Sequence, residues 1–141
     1  YIKQHNASSY EYKGVDISQK FIDFCAQKYP EDVFVCADIL KKPEAIPSGE
    51  LVIANGVFTM KMGMNHEEML AFFKQAIAAL WRKTEAGLAF NVMSKHVDWE
   101  RDDLFHLSHD ALAAFLCKDI TRNYVIRNDY GLYEYTTYLY K

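Results

Sequence analysis

The 141-residue chain carries 16 Lys and Arg against 19 Asp and Glu, a formal net charge of −3, and half of its residues are hydrophobic. That composition is ordinary for a globular protein, and the length is one domain's worth, so a single domain over residues 1–141 is expected. A mildly acidic chain has no sequence-independent attraction to phosphate backbones or anionic membranes, so no nucleic acid and no membrane surface is expected as partner.

Cys25, Cys36 and Cys117 are odd in number and show no CxxC spacing. This argues against a disulfide framework and a structural zinc site, and a reducing, cytoplasmic location is expected. No apolar run approaches the length of a membrane-spanning helix, and no signal-peptide pattern opens the chain.

In chain order, residues 1–6 read as the tail of an element begun upstream and 6–9 as a turn. Residues 10–16 read as a strand with Tyr10, Tyr12 and Val15 as its apolar positions, ending at Asp16. Ser18 is placed to cap a helix in which Phe21, Ile22, Cys25 and Tyr29 recur at helical spacing, and Pro30 stops it. Residues 33–37 form a short continuous apolar run, expected as a strand buried on both faces, with Asp38 at its end. The segment 41–49 holds Pro43 and Pro47 and reads as a loop or a broken helical turn. Residues 51–54 read as the next buried strand, stopped by Asn55 and Gly56.

Met60, Met62 and Met64 lie in an aperiodic stretch, expected to be an adaptable apolar lid rather than a soft-metal cluster. Asn65 and Glu68 have the spacing of a capping box, after which Met69, Leu70, Phe73, Ile77, Leu80 and Trp81 trace one helical face. Residues 88–93 are another strand, and a polar segment runs on to Asp103. Ser108 can cap a third helix with Leu112, Phe115 and Leu116 inward. Residues 122–127 and 132–140 are strands joined by a short turn, hence antiparallel neighbours. The chain has 10 tyrosines and 9 phenylalanines, and the tyrosines crowd this end, which reads as sheet packing rather than a stacking platform.

Strands alternating with helices imply a mostly parallel sheet, and ligands of such sheets lie beyond the carboxyl ends of the strands. Asp16 stands where a carboxylate can accept a ribose hydroxyl. The glycine-rich turn that accompanies such a carboxylate lies roughly 20 residues earlier, and residues 1–15 hold only Gly14.

A terminal antiparallel strand added to a parallel sheet whose second strand ends in aspartate resembles the class I S-adenosylmethionine-dependent methyltransferases. The resemblance is carried by GVDIS at 14–18, CADIL at 36–40, LVIANGVF at 51–58, GLAFNVMSK at 87–95 and DYGLYEYTTYLYK at 129–141. It covers essentially the whole chain. It implies a Rossmann-like three-layer α/β sandwich with a C-terminal antiparallel hairpin strand and with the first strand and its GxGxG-type turn missing, the chain being truncated before them. It implies S-adenosylmethionine as cofactor, Asp16 on the ribose hydroxyls, Ile17 near the adenine, Asp38 on the adenine amine, and Ile39 over a ring face. Asn55 and Gly56 would open toward the methionine part and the methyl group.

The activity so implied is methyl transfer to a small-molecule or glycan-like acceptor by the parent protein, the present chain alone being inactive. His96, after the fifth strand of that family's sheet, is the candidate base, histidine being the side chain that titrates near neutrality. His66 is a second candidate, expected to be solvated in a first helical turn, and His106 and His109 are expected to be structural. Two other readings stand beside this one. One is a Rossmann-like module without catalysis that serves as a partner subunit; the other is an NAD-dependent dehydrogenase fragment, against which the terminal antiparallel strand argues.

Overall fold

The computed structural model describes residues 10–141, so the expected tail at 1–6 and turn at 6–9 lie outside the described residues. The chain divides into two compact units, Tyr1–Pro47 and Ser48–Lys141.

In the first unit, β1 (Lys13–Asp16) and β2 (Val33–Cys36) pair in parallel, with Asp16 opposite Cys36. Helix α1 (Gln19–Lys28) connects them. The strand expected at 10–16 begins only at Lys13. Ser18 occupies the helix N-cap, but its hydroxyl makes no capping bond; Asp16 Oδ1 accepts the Ser18 N–H at 2.7 Å instead. Ile22 is the buried residue of α1, while Phe21 and Phe24 remain exposed. Burial on both faces of β2 is not observed: Val33 and Cys36 are exposed, and among the described residues β2 pairs only with β1. A 3-10 turn at Pro43–Ala45 follows, as the two prolines suggested.

The second unit contains β3 (Gly49–Ala54), α2 (His66–Lys83), β4 (Thr84–Ser94), β5 (His106–Leu107), α3 (His109–Phe115), β6 (Tyr124–Arg127) and β7 (Glu134–Tyr140). A π-helical turn, Leu116–Ile120, extends α3. The strand order is β3-β4-β7-β6, with β5 paired to the end of β4. Strands β3 and β5 run parallel to β4, whereas β7 is antiparallel to both β4 and β6. The last strand therefore inserts between β4 and β6. This is the mixed α/β sheet with a terminal antiparallel hairpin expected from the sequence.

Helix α2 starts on the full capping box: Asn65 Oδ1 accepts the Glu68 N–H and Glu68 Oε2 accepts the Asn65 N–H, each at 2.9 Å. Both bonds satisfy donors that the first helical turn would leave orphaned. One helix face then buries Met69, Phe73, Ala76 and Ile77. Phe73 is fully buried and meets Phe58, Phe90, Phe105 and Phe115 with ring centroids 5.0, 5.6, 5.7 and 6.0 Å away. Leu88, Phe90 and Val92 alternate along β4 into the same core.

Strand β3 departs from expectation. Leu51 is 73% and Ile53 65% exposed, so the face of β3 that carries them is uncovered, and among the described residues β3 pairs only with β4. No helix of the described residues is long and apolar enough to cross a membrane.

Candidate functional site

The first unit places Asp16 at the carboxyl end of β1 and Asp38 two residues beyond the end of the neighbouring parallel strand β2, on one edge of the pair. Asp16 Oδ1 accepts the Ser18 N–H, a short closure of the loop that follows the strand. Among the described residues its Oδ2 has no protein partner. Ile17, next in sequence, is 77% exposed, and Ile39 is half-buried. An exposed isoleucine beside a carboxylate oxygen able to accept suits an apolar ring face attached to a hydroxylated sugar that donates.

Asp38 is more fully engaged by its own loop. Its Oδ1 accepts the N–H groups of Leu40 at 2.9 Å and Lys41 at 3.2 Å, and Lys41 Nζ lies 3.6 Å from Oδ2. The Leu40 N–H is the main reason that the Asp38 carboxyl titrates below its ordinary value of 3.8. Turn chemistry thus accounts for Asp38 Oδ1, leaving Oδ2, near Lys41, for any further role.

In the second unit, Asn55 and Gly56 follow β3 directly, and both are exposed. Gly56 has φ +73°, the left-handed region that glycine enters without a Cβ penalty. Its N–H, no longer in the sheet ladder, donates to Asn91 Oδ1 at 2.7 Å. Asn91 Nδ2 in turn donates to Glu134 Oε2 at 2.7 Å. Neither Asn91 nor Glu134 stood out in the sequence. The available signal was a lone amide in the apolar run LAFNVM, since a buried polar side chain is more informative than an exposed apolar one.

His96 lies just past β4 and is exposed; its N–H donates to Ser94 Oγ at 2.9 Å. Its ring stacks on His109, with centroids 5.5 Å apart and planes 20° apart, and His109 packs on the buried Tyr135 at 4.4 Å. Lys95 beside it lies 3.8 Å from Glu100. His66 differs from expectation: it is half-buried against Phe105, with ring centroids 5.3 Å apart. His106 is buried, with Nδ1 2.6 Å from the Ser94 carbonyl and Nε2 accepting the Arg101 N–H at 3.3 Å. Because a carbonyl can only accept, Nδ1 carries the proton, and His106 is a neutral structural brace.

The methionine stretch forms one wall of an open groove of about 420 Å³ whose other wall includes Asp102 and Asp103. The walls are joined by the Lys61 N–H to the Asp103 carbonyl and the Phe105 N–H to the Thr59 carbonyl, each at 2.9 Å. Nearby, Tyr133 donates to Asp98 Oδ2 at 2.6 Å, and that carboxylate pushes the phenol's titration up. Among the described residues no cluster of three or more His, Cys, Asp or Glu side chains is placed to hold a metal ion.

No family model matches the chain. A Mycobacterium tuberculosis protein provisionally named a methyltransferase, Rv1506c, is 24% identical over 131 residues, spanning 89% of this chain and 76% of that protein. Among solved structures, the magnesium protoporphyrin IX methyltransferase ChlM of Synechocystis PCC 6803, solved with S-adenosylmethionine bound, superposes with a TM-score of 0.61 at 16% identity, covering 91% of this chain. TehB from Haemophilus influenzae gives a TM-score of 0.62 at 12% identity and covers 94%. The present chain spans only 58% of the ChlM chain and 50% of the TehB chain. The fold is that of the class I S-adenosylmethionine-dependent methyltransferases.

Proposed function

We propose that the protein transfers a methyl group from S-adenosylmethionine to a small-molecule or glycan-like acceptor. The observation that carries this reading is Asp16: a carboxylate at the carboxyl end of a parallel strand, with one oxygen held by its own loop and the other without a partner among the described residues, beside an exposed isoleucine. The sheet order supports it, because β7 lies antiparallel between β4 and β6.

S-adenosylmethionine supplies a methyl group already made electrophilic by its sulfonium. What remains for this chain is binding and alignment. In the first unit, Asp16 Oδ2 accepts from a ribose hydroxyl, Ile17 covers the adenine, and Asp38 and Ile39 contribute to the same base. Asn55 and the left-handed Gly56 of the second unit are assigned to the methionine part by the methyltransferase resemblance alone. His96 takes a proton from an acceptor that must lose one, and its contact with His109 fixes the plane of its ring.

The D16N variant in the full-length protein tests the ribose assignment. Replacing the carboxylate removes a charge-assisted acceptor, so the dissociation constant for S-adenosylmethionine should rise about 10-fold or more. An unchanged constant would contradict the assignment of Asp16.

A further inference from the structure

We infer that Asn91, oriented by Glu134, is a positioning residue for the turn at 55–56. The inference rests on the methyltransferase reading above, since it takes that turn as part of the cofactor site.

Asn91 is 6% exposed and lies on β4 between the apolar Phe90 and Val92. Burying an amide in such a strand costs free energy unless its groups are bonded, and here both ends are. The carbonyl oxygen takes the Gly56 N–H and the amide nitrogen gives to Glu134. A carboxylate can only accept, so Glu134 fixes which way the Asn91 amide faces. That orientation leaves the carbonyl toward β3, where the chain leaves the sheet and Gly56 N–H would otherwise be unpaired. A Cβ at Gly56 would meet nothing within 4 Å. No neighbour packs against that position, so between the buried Ala54 and Phe58 the Asn91 bond is a direct restraint on the Gly56 backbone. The path runs from the last strand, through one amide, to the turn after the third strand.

The test is made in the full-length protein with two readouts: hydrogen exchange of the Gly56 amide, and calorimetric titration with S-adenosylmethionine. In N91D the oxygen facing Gly56 is kept, but a carboxylate now faces Glu134. Exchange at Gly56 should quicken about 10-fold and cofactor affinity fall about 10-fold. In the double variant N91D/E134Q the amide introduced on β7 donates back to the carboxylate introduced on β4, and both readouts should return to within about threefold of wild type. Where N91D does not fold, E134A carries the test, with affinity expected to fall about 10-fold at a temperature at which that variant is still folded. A wild type that binds the cofactor together with an N91D chain, or an E134A chain where N91D does not fold, of undiminished affinity would overturn the inference and leave the function standing. So would failure of the double variant to recover. Absence of heat from the wild type would overturn the function, and the inference with it, even if Gly56 exchange responded.

Discussion

Asp16 and Asp38 are both acidic residues after short strands, and the atoms around them separate their roles. Asp16 gives one oxygen to its own loop and among the described residues leaves the other without a partner, whereas Asp38 Oδ1 carries two backbone donors. D38N keeps that acceptor and removes the charge, so it should preserve the turn, while D38A should loosen it; exchange of the Leu40 and Lys41 amides checks this. The Asp38 carboxyl titrates below its ordinary 3.8, so its contribution to stability is present above that value and is lost as pH falls through the lower folded value. The stability gap between wild type and D38N should therefore narrow as pH falls to and below 3.8, as read by unfolding midpoints. A gap that widened toward acid would have the wrong sign. The place of Asp16 at a strand end was legible in the sequence because it depends only on that strand and the next two residues. Asn91 with Glu134 was not: the pair is 43 residues apart, and only the β4–β7 register brings it together.

At the scale of elements, local signals that close within one turn were readable. The Asn65 and Glu68 spacing gave a complete capping box, and N65A should lower stability by about 1 kcal/mol. For a chain of this length that corresponds to a melting shift of about 3 °C, with N65D as the variant that restores it. Strand β5 escaped notice because two residues, His106 and Leu107, carry no period at all. The expectation that β2 and β3 are buried on both faces also failed, since apolar composition reports what a strand can bury and not how many neighbours it has. Leu51 and Ile53 show the difference on β3. Phe73 behaves oppositely. Predicted on the inward face of α2, it touches four other phenylalanines, and F73A should cost roughly 3–5 kcal/mol by cavity formation, read by denaturant unfolding.

At the scale of the whole molecule, the order of elements was legible. The alternation of strands and helices, closed by a hairpin, was enough to indicate the methyltransferase fold, which the likeness to ChlM and TehB bears out. The free edge of β3 and the β1–β2 pair of the first unit are properties of pairing, which no single segment of sequence encodes. Function is proposed at this scale too, because a cofactor is held by groups from many elements and the reacting methyl is positioned by all of them. The most direct test is calorimetric titration of the full-length wild-type protein with S-adenosylmethionine and, in parallel, with NAD. The account predicts saturable heat with S-adenosylmethionine and none with NAD; no heat with S-adenosylmethionine would contradict it.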